Sequence, residues 1–149
     1  MHPPRSTESA TITAVDLDAL DVIRHLNVAI FDEERIINTF DQEDIRTFVA
    51  WVEDQAAGFK LGYRLDADTF YSAKGGVLPS FRRRGIARAL LHAMIDDVDA
   101  AGYTRFVFDT FPNKHPGMTV LALSEDFRLI KAGYSPQYKD YRLRFEKVL

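Results

Sequence analysis

At 149 residues, 46% hydrophobic and 28% charged, the chain has the length and composition of a folded domain rather than of a disordered segment. A net charge of -3 argues against general nucleic-acid binding, and the absence of Cys excludes disulfides, thiolate metal sites and cysteine nucleophiles. The four histidines (His2, His25, His92, His115) are scattered without metal-ligand spacing, so no metal is expected, and no apolar run approaches the roughly 18 residues of a membrane span.

Residues 1–10 are polar, include Pro3 and Pro4, and read as a flexible lead rather than a signal peptide, which makes the cytoplasm the default setting. Residues 11–149 are expected to form one domain. An apolar alternation over residues 11–15 predicts a first strand, after which Asp16 is placed to cap a helix through Phe31, with Leu17, Leu20, Ile23 and Ile30 at helical spacing. The acidic residues 32–44 predict a short helix plus loop. Residues 45–52 predict a strand with Trp51 in the core, closed by a turn at Glu53-Asp54-Gln55, and residues 58–65 its hairpin partner. Residues 69–78 form the next expected strand, with a bulge or a close backbone approach at Gly75-Gly76.

The strongest periodicity follows. Ile86, Leu90, Met94 and Val98 recur at intervals of four, and Gly102 supplies the stop of a long amphipathic helix. Residues 103–110 predict a central strand, 118–124 a short helix, 127–132 a strand, and 138–148 a last strand with Tyr141, Leu143 and Phe145 on one face. This order describes a mixed α+β layer fold. His92, on the exposed side of the long helix, and His115, beside Pro116, have no evident partner.

Chemistry concentrates on one turn, Pro79-Ser80-Phe81-Arg82-Arg83-Arg84-Gly85-Ile86-Ala87, where a strand ends and the long helix begins. A helix N-terminus offers unpaired backbone N–H groups and a positive dipole end to an anion. Gly85 and Ala87 are small enough to admit a phosphate to the backbone. Three arginines here oppose the dipole unless an anion is bound between them. The phosphate-loop pattern GxxxxGK[ST] and the dinucleotide pattern GxGxxG are both absent.

Arg82-x-x-Gly85-x-Ala87, preceded by Val77-x-Pro79, resembles the R/Q-x-x-G-x-G/A pyrophosphate motif of the GNAT acetyltransferases, and the element order on both sides resembles that family over roughly residues 11–149. The resemblance implies a mixed, mainly antiparallel twisted sheet with flanking helices, whose splayed central strands, residues 69–78 and 103–110, admit acetyl-CoA. It implies pairing of the Val77 and Leu78 backbone, at the approach to Pro79, with the pantetheine arm. Arg82, Arg83, Arg84, Gly85, Ile86, Ala87 and Arg88 would surround the pyrophosphate, and Asn113 would contact the arm.

Catalytic residues are less well marked. Where the histone-modifying branch of the family carries a Glu, this chain has Tyr71, and Leu121-Ala122-Leu123-Ser124-Glu125-Asp126-Phe127 aligns with the family's L-Y-x-x-x-G-F, placing Ala122 where the proton-donating Tyr stands. The candidate substitutes are Tyr71, Ser72, Glu34 and Tyr134, with Glu33, Asp109 and Tyr138 beside them. The run Asp32-Glu33-Glu34 would also attract a cationic acceptor. The expected activity is transfer of an acetyl group from acetyl-CoA to an amine of a small molecule or protein, the alternative being a weakly active or inactive acyl-CoA-binding regulatory module. The expected partners are acetyl-CoA and an unidentified amine, with no nucleic acid and no membrane, in a monomer or homodimer.

Overall fold

A computed structural model describes residues 10–149; the expected lead over residues 1–10 lies, all but Ala10, outside the described residues. A seven-stranded sheet has the order β1-β2-β3-β4-β5-β7-β6. Its strands are β1 (Thr11–Val15), β2 (Arg46–Val52), β3 (Gln55–Arg64), β4 (Thr69–Val77), β5 (Arg105–Thr110), β6 (Arg128–Ser135) and β7 (Asp140–Val148). The pairing of β4 with β5 is parallel and the other pairings are antiparallel. A parallel pair needs a long crossover, and α2 (Ile86–Ala100) supplies it; α1 (Leu20–Phe31) and α3 (Pro116–Ser124) complete the helices.

Alternation along β2 and β3 divides the core. Val49, Phe59 and Leu61 face α1 with Ile23 and Leu26, whereas Phe48, Ala50 and Phe70 join Leu90, Leu91, Met94 and Val98 of α2. Both faces of β3 are therefore covered. The hairpin turn is tighter than expected: Glu53 (φ 49°) and Asp54 (φ 65°) are both left-handed, as a two-residue turn matched to the strand twist requires, so β3 begins at Gln55 rather than Gly58.

Three further expectations are corrected. Asp16 makes no capping hydrogen bond; a 3-10 turn, Leu17–Ala19, intervenes, and α1 starts at Leu20. Residues 32–44 contain no helix, because Asp32 turns left-handed and the Asn27 amide ties down the carbonyls of Glu33 (2.7 Å) and Arg35 (3.2 Å). Trp51 lies half-buried at the margin of the α1 cluster, its indole N–H donating to Thr13 Oγ1 at 2.9 Å. At the end of α2, Gly102 (φ 99°) does terminate the helix: its N–H reaches Asp99 O and that of Tyr103 reaches Val98 O, a Schellman closure.

The bulge of β4 falls at Ala73, since Leu61 pairs with Lys74 and Gly62 with Ser72. The close approach falls at Gly76, where an added Cβ would lie 2.9 Å from Ile30 Cγ2 and 3.0 Å from Phe31 Cζ. The absence of a side chain lets the end of α1 rest on β4. Gly76→Val is accordingly expected to lower unfolding stability by about 1–3 kcal/mol, the usual range for overpacking, read from the urea midpoint. An unchanged midpoint would contradict this packing.

Candidate functional site

β4 and β5 pair only from Thr69 to Ser72 and from Arg105 to Phe108. Beyond that rung β4 continues to Val77 against β3 alone, while Asp109 and Thr110 stay on β7. The sheet therefore opens between its two central strands. Leu78 N–H donates to Ala57 O at 2.8 Å, which fixes the alternation of the ladder and turns the backbone groups of Val77 and Gly75 away from β3, into the opening. Leu78 is thus committed to β3, contrary to the expectation that it faces the gap.

The opening is part of a cleft of about 630 Å³ that passes through the sheet. On the α1 side it is lined by Tyr63, Tyr71, Lys74 and Asp109, and on the α2 side by Lys60, Ala87, Leu90 and Met118. Its outer end meets the turn before α2. There Phe81 is buried as an anchor, Arg82 Nε donates to Val77 O at 3.0 Å, and the Arg84 guanidinium lies 5.2 Å from the Phe81 ring centroid. Arg83 (φ 63°) and Gly85 (φ 76°) are left-handed on either side of Arg84, whose φ is negative. Such alternation turns successive N–H groups to one side, forming an anion nest. The first α-helical bond runs from Ala89 N–H to Gly85 O, so the N–H groups of residues 85–88 have no intrahelical acceptor. The arrangement suits an extended, amide-bearing chain along a strand edge, with a phosphate at its end.

The sequence profile described as the acetyltransferase (GNAT) family matches residues 17–121. The chain belongs to the GNAT acetyltransferase family. No curated protein matches it by sequence. Among solved structures, an IAA acetyltransferase from Bacillus cereus superposes with a TM-score of 0.82 at 18% identity, over 95% of this chain and 100% of that one. The ribosomal-protein-S18-alanine N-acetyltransferase of Escherichia coli gives 0.79 at 17% identity, covering 93% of each chain. A GNAT acetyltransferase from Elizabethkingia anophelis, solved with acetyl-CoA bound, gives 0.79 at 16%, over 95% and 99%. At these identities the likeness is one of fold. GNAT structures hold acetyl-CoA or CoA as cosubstrate.

The GNAT cleft of this chain brings together some expected site residues and leaves others outside. Val77 and Ala87 line it. The Ile86 side chain is core, leaving its backbone to the turn, and Arg88 is turned toward α3, 3.1 Å from Glu125 and 3.2 Å from Ser124 Oγ. Asn113 does not line the cleft; its amide donates to Asp140 at 2.9 Å. His92, expected without a partner, is hydrogen-bonded to the same Glu125, while His115 packs edge-on against Phe31.

Among the catalytic candidates, Tyr71 and Ser72 sit where the strands rejoin. The Tyr71 hydroxyl donates to Asp109 Oδ2 at 3.2 Å, and Arg144 grips the same carboxylate through Nε at 2.8 Å and Nη2 at 3.0 Å. Burial, with the Asp109 charge adding to it, pushes the Tyr71 phenol well above its usual range, so it stays protonated and serves as a donor rather than a base. Hydrogen bonding to Asp109 raises the Arg144 guanidinium further. Glu34 is exposed and outside the cleft, and Tyr134, 55% exposed on the edge strand β6, packs edge-on against Tyr141. Glu33 lies 2.5 Å from Lys74, so it is neutralised rather than free to draw in a cation. Ala122, at the position of the family's Tyr, is fully buried.

One cleft residue escaped the sequence reading. Lys60 is only 6% exposed, and burial alone lowers its ammonium to about 8.

Proposed function

We propose that residues 11–149 act as one acetyltransferase unit that moves an acetyl group from acetyl-CoA to an amine by direct attack. The observation that carries this reading is the unpaired edge of β4 leading into the nest before α2. In it, the backbone of Val77 and Gly75 pairs with the pantetheine arm, and the N–H groups of residues 83–88, with Arg82 to Arg84 beside them, hold the pyrophosphate. The backbone N–H of Gly75 polarises the thioester carbonyl.

The acceptor then approaches from the α1 side, past Tyr63, Tyr71, Asp109 and Tyr138. Asp109, fixed by Tyr71 and Arg144, orients the incoming nitrogen through hydrogen bonds, and its proton leaves through cleft water. Ser72, on the last rung, closes the floor against the reacting end. The acceptor is an amine of a small molecule or a protein.

A second reading, a regulatory module that binds acyl-CoA without turnover, is favoured by one observation: both carboxylates lining the cleft, Glu33 and Asp109, are ion-paired. A thiol-release assay with acetyl-CoA and a panel of polyamines, amino acids and peptides with free N-termini separates the two. Amine-dependent release of CoA is expected. Tight CoA binding with no release across the panel would leave the binding module.

A further inference from the structure

On the proposed reading of the cleft, we infer that Lys60 is the acid that gives its proton to the sulfur of coenzyme A as the acetyl group leaves. The residue lies in the middle of β3, opposite Phe48 of β2 on one side and Gly75 of β4 on the other. Gly75 makes its path possible. A Cβ there would lie 3.3 Å from Lys60 Cγ, and without one the side chain crosses β4 to line the cleft.

Its level in the cleft is that of the reacting end. The arm enters beside Val77 and its travel stops where β4 and β5 rejoin at Ser72 and Phe108, so the thioester lies between those limits, at the height of Gly75. Among the described residues Lys60 has no ion pair and no side-chain hydrogen bond. Phe48 of β2 lies opposite it, and the α2 side of the cleft that it lines offers Ala87, Leu90, Phe108 and Met118, none of them titratable. Both carboxylates that line the cleft are paired elsewhere, Glu33 with Lys74 and Asp109 with Arg144, and its other titratable residues, Tyr63, Tyr71, Lys114, His115, Tyr138 and Arg142, carry no carboxylate. A lone amine in this setting gives up its proton more readily than a surface lysine, and its value of about 8 is close to the ~8.5 of an ordinary thiol, the match that efficient proton transfer requires.

The other donors are poor. Ala122 has no proton to give, and the Tyr71 phenol is held protonated by burial and Asp109. In the step, the acceptor nitrogen bonds to the acyl carbon, the carbon–sulfur bond breaks, and its electron pair stays on sulfur. Lys60 Nζ passes one proton to that sulfur and becomes a neutral amine. The proton lost by the acceptor nitrogen leaves through cleft water, and solvent reprotonates Lys60.

The first arm of the test needs no acceptor. Free CoA is titrated with the wild-type protein and with Lys60→Met from about pH 6 to 10, following thiolate absorbance, with desulfo-CoA as blank and calorimetry to confirm binding. An ammonium beside the sulfur is expected to raise the bound thiolate fraction about tenfold at neutral pH over that in Lys60→Met. Lys60→Arg keeps this charge effect but has no proton to give near neutral pH, so with an amine that the wild type acetylates its kcat is expected to fall as far as that of Lys60→Met, and a kcat restored by Arg would overturn the donor role. Equal thiol titration in wild type and Lys60→Met, with CoA bound to both, overturns the role of Lys60 while leaving the cofactor site standing. So does the appearance of an acetyl mass on Lys60 after incubation with acetyl-CoA, which would make it an acceptor. Failure of the wild-type protein to bind CoA overturns both readings together.

Discussion

Replacing Ala87 with Glu is expected to weaken acetyl-CoA binding at least about 100-fold while moving the melting temperature by less than about 2 °C. Ala87 is exposed, lines the cleft and sits in the first turn of α2 beside N–H groups that have no intrahelical acceptor. A carboxylate there would stand about 5 Å from a bound pyrophosphate, and at an effective dielectric near 20 each facing charge costs about 3 kcal/mol. The same carboxylate suits the helix itself, since an acidic residue in the first turn is favourable by about 0.3–1 kcal/mol. Lost binding in this variant therefore cannot be blamed on a damaged fold. Gly85→Glu gives a less clean answer, because φ at Gly85 is 76° and a side chain in the left-handed region adds about 1–2 kcal/mol of strain. Calorimetry of Ala87→Glu with an affinity within threefold of wild type would remove the phosphate from this turn.

The parts of the fold legible in the sequence are those set by local periodicity and turn chemistry. Ile86, Leu90, Met94 and Val98 fall on one buried stripe of α2, and Gly102 closes it, because a helix on the surface of a sheet buries one face only. The motif turn is legible for the same reason: its glycine, its arginines and the helix start are contiguous in the chain. Lys60 was not. The alternation Phe59-Lys60-Leu61 reads as in, out, in when one face of a strand meets water, but β3 has α1 on one face and α2 on the other. The acidic loop failed in the same way, since its shape depends on Asn27 reaching across to the carbonyls of Glu33 and Arg35.

The acceptor end was legible only as a set of residue types. Tyr71, Asp109 and Arg144 belong to three strands, and only the β4–β5–β7 pairing brings them together. Glu33 looked available because Lys74 stands 41 positions away in the chain. The same holds for Arg88 and His92, whose common partner Glu125 follows the last turn of α3. Contacts of this kind decide whether a charge is free for chemistry, and they depend on topology rather than on neighbouring sequence.

Lys60→Met should make the protein more stable, by about 3 kcal/mol at neutral pH, and the gain should vanish in alkali. Methionine keeps much of the volume of the lysine stem and removes a charge that burial penalises and that has no ion pair among the described residues. Folding lowers the Lys60 ammonium from 10.5 to about 8, a difference that sets the size of the penalty. Between those two values the unfolded chain binds more protons than the folded one, so wild-type stability attributable to this residue rises with pH across that window. The penalty is complete below about pH 8, where both states are protonated, and gone above about pH 10.5, where both are neutral. Urea unfolding of the two proteins at a series of pH values should therefore give curves that converge as pH rises from about 8 to 10.5. A gap independent of pH would mean that Lys60 already has an anionic partner in the folded protein.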